Sequence, residues 1–386
     1  MDIHLKEPPE FVNREKEIES LKRVLWGRPN VIWFVYGPIN SGKTTLINEI
    51  IVNRLSKDKY EVIYINLRGR FIEDYKSFIK VLFSVKKESF REKIKNFLKS
   101  VFLAFPKSIS RETIKKASSG ILEGIPVAES LLEKFLKKDK IEDVFVFLEN
   151  YFEKVKEKGK IPILIIDELQ VIGDLKINGL LIYKLFNFFI HLTKEKHLAP
   201  VFCVSSNSLF IEKIYNEGKL ESRADYILVD DFEEKEAKAF MDLYAKEVLK
   251  RTLKEEEKEK IYNFLGGKPL DIVLAINKME YDSLDNALNL MLEDKIQKIY
   301  MLLDILEYGN IFVNVKDNKL AVKKEKVLKL LKLFKENMIL KKQNLSMFYS
   351  EYIYLIQNNI LFLEPIKGIL KPQSKLIWNA IKKVVS

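Results

Sequence analysis

Gly37-Pro-Ile-Asn-Ser-Gly-Lys-Thr44 fills every required position of the pattern G-x-x-x-x-G-K-[ST]. The chemistry available to such a segment is capture of a triphosphate. Its glycines let the backbone curl so that successive N–H groups point at phosphate oxygens, and a helix starting near Thr44 adds the positive end of its dipole. Lys43 is expected to reach the β- and γ-phosphates, and the Thr44 hydroxyl to coordinate Mg²⁺. The expected nucleotide contacts are Gly37, Pro38, Ile39, Asn40, Ser41, Gly42, Lys43, Thr44 and Thr45. The plain alternative is a turn that merely matches the pattern; a strand before it and a helix after it argue against that.

A second constellation stands at Ile163-Leu-Ile-Ile-Asp167-Glu168. Four apolar residues read as a buried strand that delivers Asp167 to its carboxyl end, where open parallel sheets bind ligands. Asp167 is expected to hold the Mg²⁺ through water, and Glu168 to polarise the attacking water as general base. Taken alone, an apolar run ending in Asp-Glu is as often an ordinary strand end; behind a phosphate loop it reads as catalytic. Another strand ends in Ser205-Ser206-Asn207, whose polar side chains are candidates for contact with the γ-phosphate or the water. Arg223 precedes a further strand as a candidate third catalytic group beside Glu168 and Lys43, a cation that would neutralise charge on the transferring phosphoryl group; a surface arginine is the competing reading.

The elements that must position these groups follow from the hydrophobic pattern. Apolar runs at 31–36, 61–66, 161–166, 201–205 and 226–229 read as five strands separated mostly by helical stretches, which gives an α/β fold with a parallel sheet covered on both faces. Residues 70–158 offer no convincing strand of that sheet and read as a helical insertion, with a loop at 118–126. Helices are expected over 233–265 and 270–278, broken at Gly266-Gly-Lys-Pro269. From about residue 290, helices near 293–308, 323–337 and 345–357 precede a hairpin with arms 360–365 and 368–371, and a last helix covers 374–385. Three helices and a hairpin outline a winged helix. The division is then 1–232 for the core, 233–289 for a helical lid and 290–386 for the winged-helix-like domain.

Together these pieces resemble the archaeal ATPase family, a branch of the STAND and AAA+ type (ASCE) P-loop NTPases. The residues that carry the likeness are Phe11-Val-Asn-Arg14-Glu15-Lys-Glu17 with Leu21, the phosphate loop, Ile165-Ile-Asp-Glu-Leu-Gln170, Ser205-Ser206, Arg223, and Gly266-Gly-Lys-Pro269. The resemblance implies ATP as the nucleotide, which the absence of an Asn/Thr-Lys-x-Asp guanine-reading segment supports. It implies strand order 5-1-4-3-2, with Phe11, Val12 and Arg14 near the adenine. Pro269, and with it Lys268, would close over the nucleotide from the lid. Ser222 stands where such proteins commonly carry glycine before the arginine, which weakens the role given to Arg223.

With 386 residues, 47% hydrophobic and 31% charged, the chain is expected to be globular and to hold two or three domains. No apolar run is long enough to cross a bilayer and the opening lacks a signal-peptide pattern, so a cytoplasmic protein without a membrane partner is expected. One cysteine excludes an intrachain disulfide framework, and three histidines leave little for a metal cage. The net charge of +11 suits nucleic acid, yet Lys and Glu are interspersed throughout. Two uses of the nucleotide are therefore weighed: a switch acting on a protein partner, and a DNA-gripping motor or loader. The segment 345–358 has four aromatics, one carboxylate and no cation, which favours the first. Assembly into an oligomer fits either.

Overall fold

The structure, a computed structural model, describes residues 14–50, 54–85, 121–123, 125–127, 129–138, 140–175, 180–315 and 318–386. Its centre is a six-stranded sheet. In chain order the first eight strands are β1 (Ile32–Tyr36), β2 (Tyr60–Asn66), β3 (Phe83–Val85), β4 (Ile121–Glu123), β5 (Ile125–Val127), β6 (Ile161–Asp167), β7 (Val201–Ser205) and β8 (Ala224–Leu228). The sheet runs β4-β2-β6-β7-β1-β8 with every pairing parallel. Counted by the five expected strands, this is the order 5-1-4-3-2 of a P-loop ATPase fold, with β7 between β1 and β6.

The sequence reading is corrected in the insertion. Ile121–Glu123 pairs with Val62–Tyr64 as a sixth strand at the sheet's edge, and β5 pairs with β3 in a small second sheet; the expected loop at 118–126 thus contains strand residues. Three-residue strands flanked by glycine leave too short a pattern for alternation to register. Helices Tyr75–Leu82, Glu129–Lys138 and Ile141–Glu157 fill the rest of the described insertion.

Apolar residues on both faces of the strands create two cores. On one face, helices Glu15–Trp26 and Lys43–Glu49 set Leu21, Leu25, Leu46 and Ile47 against Val35, Tyr64 and Val204. On the other, helices Ile141–Glu157 and Leu181–Ile190 cover Phe34, Ile63, Ile166 and Cys203. The second of these helices is apolar nearly all round, as a helix buried on every side must be.

Beyond β8 come helices Glu234–Val248, Glu255–Leu265 and Pro269–Lys278, then a 25-residue helix Leu284–Tyr308 capped by the Ser283 hydroxyl, which accepts from Asn286 N–H. The division expected at 289/290 falls inside that continuous helix, and lid and terminal helices share one apolar cluster. The terminal region holds helices Lys324–Glu336, Tyr349–Gln357 and Lys375–Val384. It also holds the expected hairpin, here β12 (Leu361–Glu364) and β13 (Ile369–Pro372), after three short strands that the pattern did not announce: β9 (Phe312–Val315), β10 (Asn318–Ala321) and β11 (Leu340–Lys341). No helix among the described residues is long and apolar enough to cross a membrane.

Candidate nucleotide site

The phosphate loop leaves β1 at its carboxyl end. Gly37 is required there by contact: a Cβ would stand 2.0 Å from the Val229 carbonyl oxygen. Gly42 has φ +91° and caps the helix Lys43–Glu49, so only glycine takes this turn without strain. Between them Asn40 also adopts a left-handed backbone (φ +61°) and Ser41 is fully buried. Thr45 lies half-buried three residues beyond the cap.

Lys43 is buried and folded back on its own loop. Its ammonium group donates to the carbonyls of Gly37 (3.0 Å) and Pro38 (2.7 Å). Burial, reinforced by the nearby Lys268, pushes its pKa down to about 7. Thr44 donates its hydroxyl proton to Asp167 Oδ2 (3.1 Å), and Tyr64 does the same at 2.7 Å. Burial raises the Asp167 pKa, while the Tyr64 hydrogen bond opposes the rise. Asp167 Oδ1 is buried and has no hydrogen-bond partner. An orphaned carboxylate oxygen beside a threonine hydroxyl is the donor set a hard divalent cation takes, so these residues fit Mg²⁺.

Glu168, also buried, adopts φ +61° as the chain leaves β6. Both carboxylate oxygens are engaged: Arg68 donates to Oε1 through Nε (3.1 Å) and a terminal nitrogen, and Gln170 donates to Oε2. Ser205 Oγ in turn donates to Gln170 Oε1 at 2.8 Å and accepts from the Asn207 amide at 3.1 Å. Asn207 Oδ1 caps the next helix by accepting from Phe210 N–H. Of the three candidates after β7, Ser205 is therefore the one connected to Glu168.

Two other parts of the chain close on the loop. Arg14 is buried with φ +81°; its guanidinium donates to the Ser41 carbonyl at 2.6 Å and lies 4.4 Å above the Phe232 ring. Lys268 donates to the Ile39 carbonyl and to Asp231, each at 2.9 Å. The Gly-Gly pair before it allows this approach. A Cβ on Gly267 would stand 1.8 Å from the Phe232 carbonyl oxygen, and Gly266 has φ +74°. Pro269 is buried as the first residue of its helix. From the terminal region, Gln373 Oε1 accepts from the Ile39 amide at 3.2 Å. Lys371–Asp230 and Lys342–Glu212 ion pairs hold the same region to the core.

Arg223 is not brought to this site. It precedes β8 at the amino end of the sheet, with its guanidinium exposed and donating to the Lys219 carbonyl at 2.9 Å. The five residues of β8 separate it from the loop end by about 16 Å. A residue before a parallel strand and a loop after one stand at opposite ends of the sheet, which the sequence reading did not weigh. Phe11 and Val12, expected near the adenine, lie outside the described residues. Sequence reasoning did not assign roles to Arg68, Tyr64, Asp231, Phe232 and Gln373; among these only Tyr64 carried a signal, as an inward polar residue on the strand beside β6.

The family model for an ATPase domain predominantly from Archaea matches residues 11–275, and that for the C-terminal domain of MJ1010-like uncharacterized ATP-binding proteins matches residues 285–385. The chain is 47% identical over 380 residues to the uncharacterized ATP-binding protein MJ1010 of Methanocaldococcus jannaschii, with 97% of this chain and 99% of that one covered. It is 48% identical over 378 residues to MJ0147 of the same organism, with 97% and 98% covered. Among solved structures, the Walker-type ATPase PABY2304 of Pyrococcus abyssi matches over 99% of both chains with a TM-score of 0.60 at 16% identity, a likeness of fold. With a family model covering well over half of the chain and relatives this similar end to end, the protein belongs to the archaeal ATPase family.

Proposed function

We propose that the protein binds ATP with Mg²⁺ at residues 37–45, hydrolyses it, and uses the cycle as a switch that repositions its terminal region toward a protein partner. The observation that carries the switch is the Ile39 amide donating to Gln373. Loop amides are the groups that hold phosphate oxygens, so a triphosphate and the terminal region compete for the same donor. A ligand shifts such an equilibrium by its differential affinity for the two arrangements.

The names of the close relatives, ATP-binding proteins, support the choice of ligand. Thr44 and Asp167 would hold Mg²⁺, which when bound supplies charge neutralisation at the phosphates. Lys43 would leave the Gly37 and Pro38 carbonyls for the phosphate oxygens. Glu168 is the general base of this reading, and it is held: Arg68 and Gln170 donate to its two oxygens, so the carboxylate must loosen one of these bonds to turn toward the attacking water. Slow intrinsic turnover follows. Arg223 enters only through a second copy of the chain, since its own loop lies at the other end of the sheet. A duplex-reading role for helix Tyr349–Gln357 has little support, because Tyr352, Ile353, Leu355 and Ile356 are buried and the helix carries no cation.

The test is amide hydrogen exchange in the Glu168→Gln variant, which keeps ATP intact. Adding ATP and Mg²⁺ is expected to speed exchange across residues 369–373 while slowing it in residues 37–44. Slowing of the loop with no change at 369–373 would leave a nucleotide site without the switch.

A further inference from the structure

The end of the sheet opposite the nucleotide site gathers positive charge that, Arg223 apart, no part of the proposed cycle uses. Because all of β1, β2, β6, β7 and β8 run parallel, the segments entering them, 27–31, 56–60, 156–160, 194–200 and 219–223, arrive on one face. These 27 residues carry ten Lys or Arg against four Asp or Glu, a net +6 of the chain's +11. The interspersed Lys and Glu of the sequence thus separate once the chain is folded.

Within this face lies a cleft of about 620 Å³ lined by Trp26, Arg28, Lys59, Lys156, Lys196 and His197, and no carboxylate among the described residues lines it. Trp26 is 68% exposed, an aromatic surface that packing does not require. Lys196 is neutralised by Glu149 and Glu153. Arg28, Lys59 and Lys156 have no acidic partner among the described residues: Lys59 lies over the Tyr60 ring, and Lys156 rests on the His197 carbonyl. The walls are tied together. His197 Nδ1 is 2.6 Å from the Pro29 carbonyl, Lys160 donates to the Lys57 carbonyl at 3.0 Å, and Ile161 N–H bonds to the Lys59 carbonyl at 2.8 Å. The cations are therefore held on a cross-linked surface.

We infer that this cleft binds single-stranded nucleic acid, with Arg28, Lys59 and Lys156 on backbone phosphates and a base stacked on Trp26. Unpaired cations in a groove beside an exposed aromatic are the means by which unpaired strands are held without sequence preference. Duplex fits less well, since its bases are stacked on one another and offer no free face to Trp26. The site is independent of the switch reading: it sits at the far end of β6 from Asp167, about 20 Å away along the strand, and needs no nucleotide.

The experiment is fluorescence anisotropy of a labelled 15-nucleotide oligothymidylate against the full chain without ATP, across a salt series. Three phosphate contacts predict a slope of log K against log salt of about −2. Arg28→Glu, Lys59→Glu and Lys156→Glu together should weaken binding more than about tenfold and flatten the slope. Trp26→Ala alone, at an exposed position, should cost about tenfold. Unchanged ATP binding in both variants shows that they are folded, and Lys341→Glu with Lys367→Glu, two cations of the terminal region outside this cleft, should leave the oligonucleotide affinity as it was. Wild-type affinity in the triple variant would overturn the assignment. So would equal displacement by polyglutamate of matched charge, or duplex binding tighter than single-strand binding and indifferent to Trp26.

Discussion

At the carboxyl end of the central sheet nearly every charge has a designated partner: Lys43 on loop carbonyls, Lys268 on Asp231, Glu168 between Arg68 and Gln170. At the amino end of the same strands, Arg28, Lys59 and Lys156 have no carboxylate partner among the described residues. The difference follows from burial. A charge removed from water is tolerated only when paired and hydrogen-bonded, so the nucleotide end is built of a few short contacts to specific protein groups. A solvated surface tolerates unpaired charge and acts through its sum. Substitutions at the first end should therefore act singly and sharply, those at the second cumulatively and in proportion to salt.

The sharpest expected effect is Glu168→Gln. The amide keeps the shape and can still accept a hydrogen bond, but it cannot take a proton from water. Phosphate release is expected to fall about 10²–10⁴-fold, with ATP affinity little changed. Equal turnover in wild type and variant would show that another base acts.

Next in size is a pH effect carried by Lys43, whose pKa burial lowers to about 7. A bound triphosphate favours the charged ammonium and raises that value again. Binding therefore takes up a proton wherever the free protein has released it, which is above pH 7. Below pH 7 this contribution is fully present; above it, affinity should fall toward about tenfold per pH unit. Calorimetry in buffers of different ionisation heat reads the proton directly. Affinity that is flat between pH 7 and 9, with no proton uptake, would mean that Lys43 stays charged in the free protein.

The same contrast explains what was legible in the sequence. The phosphate loop, Asp167 and Glu168 are contiguous motifs whose chemistry is written within a few residues, and the five strands around them are continuous apolar runs. The groups that hold the site are not local. Arg68 meets Glu168 across 100 residues, and Gln373 meets Ile39 across 334. Neither residue type nor spacing marks a contact of that kind. Arg223 stands away from its own chain's loop for a topological reason, since being near a strand does not say at which end. The cationic face was invisible for the same reason: its loops alternate Lys with Glu along the chain, and only the parallel sheet brings their excess to one side.

The smallest predicted effect, and the one that joins the two styles of contact, is Gln373→Ala. Gln373 accepts from the Ile39 amide and donates to the Leu361 carbonyl at 3.1 Å. Removing the side chain returns one loop amide to the ligand and loosens the strand that presents it. One net hydrogen bond is worth about 1 kcal/mol, so ATP should bind about fivefold more tightly, with the gain in affinity independent of salt. Gln373→Glu gives the opposite sign: the carboxylate keeps the acceptor and sets a negative charge where the phosphates arrive, so affinity should fall below wild type. Titration of a fluorescent ATP analogue into the three proteins separates these outcomes. Identical affinities would mean that the triphosphate never uses the Ile39 amide, and the terminal region would then be docked on the core without being coupled to the nucleotide.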